Sequence, residues 1–478
     1  MISPATLAQM LDTLLLNPEQ PVEPTPFTAI VIDSRKVTPG ALFVALRGEQ
    51  TDGHRFLADA VERGAIGLLS RVLPPDLPSQ VRVFLVEDTL VALQQAAKRW
   101  RAAQPARLIG ITGSVGKTTT REAVADVLRS QFETLESPRN FNSDIGLPLA
   151  LLALAPSHAW AVMEMGPYDQ REMELLVDVG APDVAIVTNV GPTHLERFGS
   201  IEATEAIKGL LPASLSPDGV AILNGDDERV RRMRTRTSAR TLLFGLGEDV
   251  DLRATEIVTH GLDGIGFTLH LPDAPAGIPI RTPLAGAHHA MTALAAAAVA
   301  HVAGYAPSEI AEALTTLRSG SRLKPRRGYS GALILDDTYN AAPLSMRAAL
   351  DLLSEMPGRR IAVLGDMLEL GSEEEAAHRE VGAYTMGRCD RLLAIGPRSR
   401  GITDGAWDAG HRELQWFADK TEAAEILRNE LGADDVVLIK ASHGLALETI
   451  VEALITPPGP AALRPPPRPD ARAEESAP

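Results

Sequence analysis

The stretch Leu108-Ile-Gly-Ile-Thr-Gly-Ser-Val-Gly-Lys-Thr-Thr-Thr120 decides how the rest of the chain is interpreted. It begins as a short apolar run, breaks at glycines, and continues into residues 121–128, whose apolar positions have helical spacing. This pattern predicts a strand, a glycine-rich loop and a helix, in that order. The unpaired N–H groups and the dipole at the start of such a helix favour a bound anion. We therefore expect a polyphosphate to bind at this loop.

Two side chains of the loop have the chemistry that a bound polyphosphate needs. In phosphate loops, a lysine at the place of Lys117 reaches the outer phosphates, and a hydroxyl at the place of Thr118 binds Mg²⁺. Position 111, where the common pattern has glycine, is isoleucine, so the match is to a variant of that pattern. The alternative is a tight turn with a lysine by chance. The candidate nucleotide-binding residues of this stretch are Thr112, Gly113, Ser114, Val115, Gly116, Lys117 and Thr118.

Composition and charge limit the class of protein. The 478 residues suggest about three domains at roughly 150 residues each. A net charge of −16 argues against binding to nucleic acid, which needs a basic face. The single cysteine, Cys389, excludes an intramolecular disulfide, fits a reducing compartment, and is expected to be a small buried apolar residue. We find no signal-peptide pattern and no apolar stretch of membrane-spanning length, and we expect a cytoplasmic monomer that does not bind membranes.

The strand and helix patterns predict an α/β fold of three domains. Residues 1–104 contain short strands separated by turn signals, which indicates a mixed α/β domain. Residues 105–317 form the central phosphate-loop domain with a mostly parallel sheet and a β-rich insert near 240–280. Residues 318–456 alternate strands and helices as a Rossmann-like domain does. The Pro-rich residues 457–478 are expected to be a disordered tail.

Further polar residues follow predicted strands or lie near them. Glu164 ends a strand that should lie beside the phosphate loop, where a carboxylate can hold Mg²⁺ directly or through water. His194 could ligate a metal or assist proton transfer, although a packing or capping role is the commoner one for such a histidine. Lys208, on an amphipathic helix, has the pattern of a surface lysine. Ser34 and Arg35 follow a short strand, where a solvated turn is the plainer interpretation.

These motifs in this order resemble the Mur ligases, the ATP-dependent amide-forming enzymes of peptidoglycan synthesis. The resemblance covers about residues 25 to 455. It is carried by the segments 33–36, 40–48, 112–118, 164–166, 194–196, 336–341 and 364–371. The last two segments favour the family member that adds a dipeptide over the one that adds the third amino acid.

The resemblance implies substrates, cofactors and site residues. The substrates would be UDP-N-acetylmuramoyl-tripeptide and D-alanyl-D-alanine, and the cofactors ATP and Mg²⁺. The N-terminal domain would bind the uridine diphosphate, and Lys208 would match a lysine that the family converts to a carbamate. The implied catalytic residues are Lys117, Glu164, His194 and Lys208, and the implied metal ligands are Thr118, Glu164, His194 and Lys208. Further nucleotide contacts would come from Arg322, Asp337, Tyr339 and Asn340, and substrate contacts from Ser34, Arg35, Asn140 and Asn142.

The chain departs from the family pattern at a few positions. His289, Thr292 and Ala342 stand where the family usually has asparagine, and Ala441 replaces a glycine. None of these changes removes Lys117 or an implied metal ligand. Two alternatives stay open: a related ligase, such as the one adding the third residue or a folate polyglutamate synthase, or a catalytically weak protein that binds wall precursors.

Overall fold

The computed structural model describes residues 2–12, 15–16, 26–48, 51–75, 77–138, 140–193, 195–318 and 323–457. Its contacts divide the chain into two compact units. The first unit comprises Met1–Ser321, Ala342–Ala348 and Glu369–Glu374, and the second comprises Arg322–Ala341, Ala349–Leu368 and Glu375–Pro478. The first unit therefore contains the predicted N-terminal and central domains together.

The N-terminal part of the first unit is built on a five-stranded sheet of order β1-β5-β4-β3-β2. Its strands are β1 (Leu15–Leu16), β2 (Ile30–Val31), β3 (Leu42–Val44), β4 (Gly67–Ser70) and β5 (Arg82–Leu85), and its helices are α1 (Pro4–Leu11), α2 (Leu57–Glu62) and α3 (Thr89–Ala102). Only β1 runs antiparallel to its neighbour. Helix α3 begins at Thr89 because the Asp88 carboxylate accepts from the N–H groups of Leu90 and Val91.

The central part of the first unit is built on a nine-stranded sheet of order β14-β13-β12-β11-β10-β9-β6-β8-β7. The strands are β6 (Arg107–Thr112), β7 (Thr134–Glu136), β8 (Trp160–Glu164), β9 (Val184–Val187), β10 (Val220–Asn224), β11 (Arg240–Gly245), β12 (Leu252–Thr259), β13 (Ile265–Leu271) and β14 (Ala274–Thr282). The helices are α4 (Lys117–Arg129), α5 (Gly146–Leu151), α6 (Gln170–Gly180), α7 (Leu195–Phe198), α8 (Ile201–Lys208), α9 (Leu210–Ala213), α10 (Glu228–Arg232), α11 (His289–Val302) and α12 (Pro307–Thr315). The predicted β-rich insert corresponds to β11–β14, of which β12, β13 and β14 pair antiparallel.

The position of β6 explains where a ligand site can form. β6 lies between β8 and β9 and pairs parallel with both. All residues of β8 and β9 are buried, as expected for parallel strands covered on both faces. The carboxyl ends of these three strands lie at one edge of the sheet, which is where open α/β sheets bind ligands. This edge carries the glycine-rich loop, Glu164 and the segment that follows β9.

The second unit contains a six-stranded sheet of order β15-β16-β20-β17-β18-β19. Its strands are β15 (Lys324–Arg327), β16 (Leu333–Asp337), β17 (Arg359–Gly365), β18 (Arg391–Ile395), β19 (Leu414–Phe417) and β20 (Asp435–Lys440). The helices after residue 342 are α13 (Pro343–Ser354), α14 (Glu374–Tyr384), α15 (Arg400–Asp408), α16 (Lys420–Glu430) and α17 (Glu448–Ile455). Only the edge strand β15 pairs antiparallel. Strands and helices alternate along this unit, as predicted for residues 318–456.

The predicted fold class, α/β with mostly parallel sheets and a Rossmann-like C-terminal domain, is confirmed. The exact domain boundaries stay predictions, and nearly all of the predicted tail, residues 458–478, lies outside the described residues. Cys389 is buried, as predicted. Within the described part of the chain, no helix combines the length and the apolar character needed to cross a membrane.

Candidate phosphate and metal site

The loop between β6 and α4 requires glycine at two positions. Gly113 has a φ of +150° and Gly116 a φ of +87°, in the region that side chains disfavour. A Cβ atom at Gly113 would lie 1.9 Å from the Thr188 Oγ1 atom. Gly116 is the N-cap of α4 and offers no side-chain hydrogen bond to the helix. The start of α4 therefore carries no side-chain cap, an arrangement that suits a phosphate group.

Residues that follow β9 hold the loop in place. The Val115 N–H donates to Asn189 Oδ1 at 2.9 Å, and Asn189 Nδ2 and Thr188 Oγ1 donate to the Val115 carbonyl at 2.9 and 2.7 Å. Ser114 Oγ donates to the Gly191 carbonyl at 3.0 Å and accepts from its N–H at 2.9 Å. These contacts fix the conformation of the loop. The sequence analysis did not single out Thr188 and Asn189. Their position directly after the apolar residues of β9 was the feature that could have indicated a role at the site.

Two lysines converge on one carbonyl oxygen of the loop. Lys117 Nζ donates to the Gly113 carbonyl at 2.8 Å and to the Ser114 carbonyl at 3.4 Å. Lys208 Nζ donates to the same Gly113 carbonyl at 3.1 Å. Lys208 is only 2% exposed, so the expectation of a surface lysine is wrong. The reason is that the last turn of α8 packs toward the loop, a contact between residues 95 positions apart.

Burial changes the chemistry of Lys208. Loss of hydration lowers the pKa of its amine well below the ordinary value, and the positive charge of Lys117 lowers the pKa further. The amine is thereby biased toward its neutral, nucleophilic form.

Glu164, at the end of β8, has both carboxylate oxygens occupied by neighbours. Thr118 Oγ1 donates to Oε2 at 2.9 Å, and Asn142 Nδ2 donates to Oε1 at 2.9 Å. The Arg121 guanidinium lies 3.8 Å from Oε2. Thr118 and Glu164 are thus brought together as the sequence predicts, whereas Asn142, predicted to bind substrate, contacts the carboxylate. The sequence analysis did not single out Arg121. Its position one helical turn after Thr118 could have indicated that it lies near the site.

The residues around Glu164 suit Mg²⁺, which takes some of its ligands from phosphate and water, better than a metal ion that is bound by protein side chains alone. Among the described residues, no group of three or more His, Cys, Asp or Glu side chains could hold a metal ion. Mg²⁺ is usually bound by one or two carboxylates, with phosphate oxygens and waters completing its octahedron. A hydroxyl and a carboxylate beside a phosphate loop match that mode. His194, a predicted metal ligand, lies outside the described residues.

The predicted substrate residues of the N-terminal part lie in a short 3₁₀ turn. Ser34 is buried, and Arg35 is exposed and pairs with Asp33 at 2.8 Å. The hydrogen bond from the Arg35 side chain lowers the pKa of Asp33 to about 2. Asn140, in the central part, is exposed and has a φ of +65°. These positions leave the roles of Ser34, Arg35 and Asn140 as predictions.

Three predicted nucleotide residues of the second unit, Asp337, Tyr339 and Asn340, lie at the carboxyl end of β16 or just after it. Asp337 forms an ion pair with the buried Lys440. Lys440 Nζ also donates to the Asn340 carbonyl at 2.9 Å. The Tyr339 ring stacks on His443 with 6.0 Å between ring centroids. Arg322 lies outside the described residues.

Three family descriptions match successive parts of the chain. They are "Mur ligase family, catalytic domain" over residues 26–101, "Mur ligase middle domain" over residues 111–300, and "Mur ligase, glutamate ligase domain" over residues 321–443. The chain is also similar to two curated proteins named UDP-N-acetylmuramoyl-tripeptide–D-alanyl-D-alanine ligase. The protein from Bacillus subtilis is 36% identical, with 95% of this chain and 98% of the relative covered. The protein from Escherichia coli is 38% identical, with 94% and 98% covered.

Solved structures agree with these matches. A crystal structure of MurF from Acinetobacter baumannii is 31% identical, has a TM-score of 0.84, and covers 95% of this chain and 98% of that chain. The MurF ligase from Thermotoga maritima, solved in complex with ADP, is 27% identical with a TM-score of 0.77, and 89% and 96% are covered. The fold, the phosphate loop and these matches define a Mur ligase, and the chain belongs to that family.

Within the Mur ligase family, the chain belongs to the MurF branch. The two curated relatives are named as that ligase, and the match covers 98% of each of them. The solved structures named MurF share the same fold. The family resemblance inferred from the motifs is confirmed.

Proposed function

We propose that this chain is an ATP-dependent ligase that joins D-alanyl-D-alanine to UDP-N-acetylmuramoyl-tripeptide and forms the pentapeptide precursor of peptidoglycan. One observation carries the proposal. In the phosphate loop, Thr118 donates a hydrogen bond to Glu164 at 2.9 Å, and 94–95% of the chain matches two ligases named for this reaction. Such a loop suits a nucleoside triphosphate, and the solved relative in complex with ADP supports the same nucleotide class.

The reaction needs two steps because a carboxylate is a poor electrophile. The terminal carboxylate of the tripeptide attacks the γ-phosphorus of ATP, which gives an acyl phosphate and releases ADP. The amine of D-alanyl-D-alanine then attacks the acyl carbon, an amide bond forms, and inorganic phosphate leaves. The amine loses a proton in this step. Catalysis is therefore mainly alignment and charge neutralisation around the phosphate.

The loop supplies most of that neutralisation. Lys117 Nζ rests on two backbone carbonyls, at 2.8 and 3.4 Å. A phosphate oxygen is a stronger partner for an ammonium group than a neutral carbonyl, because both groups are ionised. A bound triphosphate would thus draw Lys117 away from the Gly113 carbonyl. The N–H groups at the start of α4 would complete the contacts to phosphate.

Mg²⁺ would be held by Thr118 and Glu164, and when bound it supplies charge neutralisation at the phosphate oxygens. Lys208 suits the same cation only after modification, because an amine is not the oxygen ligand that Mg²⁺ prefers. Burial lowers the pKa of the Lys208 amine, which favours addition to CO₂; this addition would give a carbamate anion and release one proton. His194 remains a proposed ligand.

The remaining predicted roles belong to the proposal as well. Ser34 and Arg35 would bind the uridine diphosphate. Asn140 and Asn142 would contact the substrate. Arg322, Asp337, Tyr339 and Asn340 would contribute to nucleotide binding. We also propose a cytoplasmic monomer, in keeping with the single buried cysteine and the use of ATP.

Phosphate release with defined substrates tests the function. The purified chain would be mixed with ATP, Mg²⁺ and UDP-N-acetylmuramoyl-tripeptide, with and without D-alanyl-D-alanine, and the peptide product would be identified by mass spectrometry. We expect ADP and pentapeptide to form together only when both substrates are present. Turnover only with a glutamate-adding substrate pair would favour a related ligase. Precursor binding without turnover would favour a wall-precursor sensor.

A further inference from the structure

Arg121 is a buried cation that none of the roles above uses. It is 2% exposed and lies on α4, three residues after Thr118. Its Nε donates to Glu136 Oε1 at 3.0 Å, its Nη2 to Glu122 Oε1 at 3.4 Å, and its Nη1 lies 3.8 Å from Glu164 Oε2. Nη1 also donates to the Pro138 carbonyl at 3.5 Å. A guanidinium is costly to bury unless carboxylates surround it, so this position depends chiefly on the three carboxylates.

The contacts of Glu164 show what Arg121 can do for the site. Oε1 accepts from Asn142, and Oε2 accepts from Thr118, each at 2.9 Å. Arg121 lies nearest to Oε2, the oxygen that faces the hydroxyl of the phosphate loop. At 3.8 Å the guanidinium attracts this oxygen by its charge without donating a hydrogen bond to it. The side chain of Glu164 is only 6% exposed, which leaves little water to take the place of Arg121.

We propose that Arg121 is a positioning residue that sets the affinity of the loop for a divalent cation–nucleotide complex by holding Glu164 Oε2 toward Thr118. This inference rests on the proposed function. The positive charge of Arg121 alone would oppose a divalent cation. Glu136 and Glu122 balance that charge, so orientation of the carboxylate is the larger effect. Loss of a group that orients a metal ligand typically weakens metal affinity about 10–100-fold.

The variant Arg121→Lys separates geometry from charge. Lysine keeps the positive charge but lacks the planar fork that reaches Glu136 and Glu164 together. The matched control is Arg129→Lys, on the same helix. Arg129 Nη1 lies 2.9 Å from Glu136 Oε2, and its other described ion pair is with Asp126. The control therefore disturbs the same ionic network one step further from the phosphate loop.

The test measures binding without turnover. The full-length protein is titrated with Mn²⁺ in the presence of saturating ADP, and free Mn²⁺ is followed by electron paramagnetic resonance. We expect Arg121→Lys to raise the Kd for Mn²⁺ about 10–100-fold, and Arg129→Lys to change it less than about threefold. Thermal unfolding of both variants is recorded in parallel, since a purely structural role would lower Tm without changing the Kd of the folded protein.

Two results would overturn the proposal: an unchanged Kd in Arg121→Lys, or an equal loss in Arg129→Lys. Should Arg121→Lys fail to fold, the double variant Arg121→Met with Glu136→Gln removes the main ion pair as a whole, which is often tolerated. We expect it to show the same weakened Mn²⁺ binding, and wild-type affinity in it would refute the inference. Failure of the wild-type protein to join D-alanyl-D-alanine to UDP-N-acetylmuramoyl-tripeptide would count against the proposed function alone, because the Mn²⁺ titration contains neither substrate.

Discussion

The Glu164 carboxylate can be changed by one atom in the variant Glu164→Gln. The glutamine carbonyl can still accept from Asn142, whose amide lies at 2.9 Å in the wild type. The new NH₂ group then faces Thr118 and Arg121. The Thr118 hydroxyl can rotate and accept a hydrogen bond from it, whereas the Arg121 guanidinium has only donors and cannot accept one. Hydrogen bonds to a charged group contribute about 1.5–3 kcal/mol and neutral ones about 0.5–1.5, so we expect a stability loss of about 1–3 kcal/mol.

The expected loss of activity is larger than this loss of stability explains. Domains are stable by about 5–15 kcal/mol, so most of the Glu164→Gln protein should stay folded at 25 °C. Removal of one preorganised electrostatic group typically lowers kcat by about 10²–10³-fold. We expect a fall of that size in the rate of ADP formation, because the carboxylate that would hold Mg²⁺ is gone.

The assay is ATP turnover with both peptide substrates, measured beside thermal unfolding. The control is Glu172→Gln, since the Glu172 carboxylate also accepts two hydrogen bonds, from the N–H groups of Tyr168 at 2.7 Å and Asp144 at 3.0 Å. We expect the control to lose similar stability and to keep a rate near that of the wild type. A Glu164→Gln protein with a rate within tenfold of the wild type would refute the reasoning.

Three further predictions concern the loop and two buried groups. Burial lowers the pKa of Lys208 in the folded protein, so the unfolded chain binds the proton more tightly. The free energy of unfolding therefore rises with pH between the folded-state and the unfolded-state pKa of Lys208. In decarbonated buffer, Lys208→Met should therefore raise Tm more at pH 7 than at pH 10; an equal or opposite change in the two scans would contradict this. Gly113→Ala should abolish nucleotide binding measured by calorimetry, because its Cβ would lie 1.9 Å from Thr188 Oγ1; retained binding would show that the loop can shift without loss. Burial raises the pKa of the Cys389 thiol to about 12, so a thiol reagent at pH 8 should label the chain only after denaturation, and rapid labelling of the native protein would be the contrary result.

Local features of the chain were predictable from the sequence. The β6–loop–α4 unit follows from an apolar run, glycines and helical spacing within 21 residues, from Leu108 to Leu128. The glycines at 113 and 116 occupy the two backbone conformations that demand them. The central residues of β17 and β20, 361–364 and 436–439, are continuous apolar runs, as expected for buried parallel strands.

Contacts between distant segments were not predictable in the same way. Lys208 has the local pattern of a surface residue, and only tertiary packing buries it against the Gly113 carbonyl. The hydrogen bond from the Asn142 amide to Glu164 also joins segments 22 residues apart, and no local pattern predicts it. Strand β19, Leu414–Phe417, is too short and too polar at Gln415 to be distinguished from a loop without its neighbour β18.

In the proposed reaction, ATP phosphorylates the carboxyl group of the tripeptide. Oxygen transfer measures that step directly. UDP-N-acetylmuramoyl-tripeptide labelled with ¹⁸O in its terminal carboxylate would be joined to D-alanyl-D-alanine by the purified protein. We predict that each inorganic phosphate released carries one ¹⁸O atom, because the acyl–oxygen bond breaks when the amine attacks. Unlabelled phosphate released together with newly formed pentapeptide would contradict the claim.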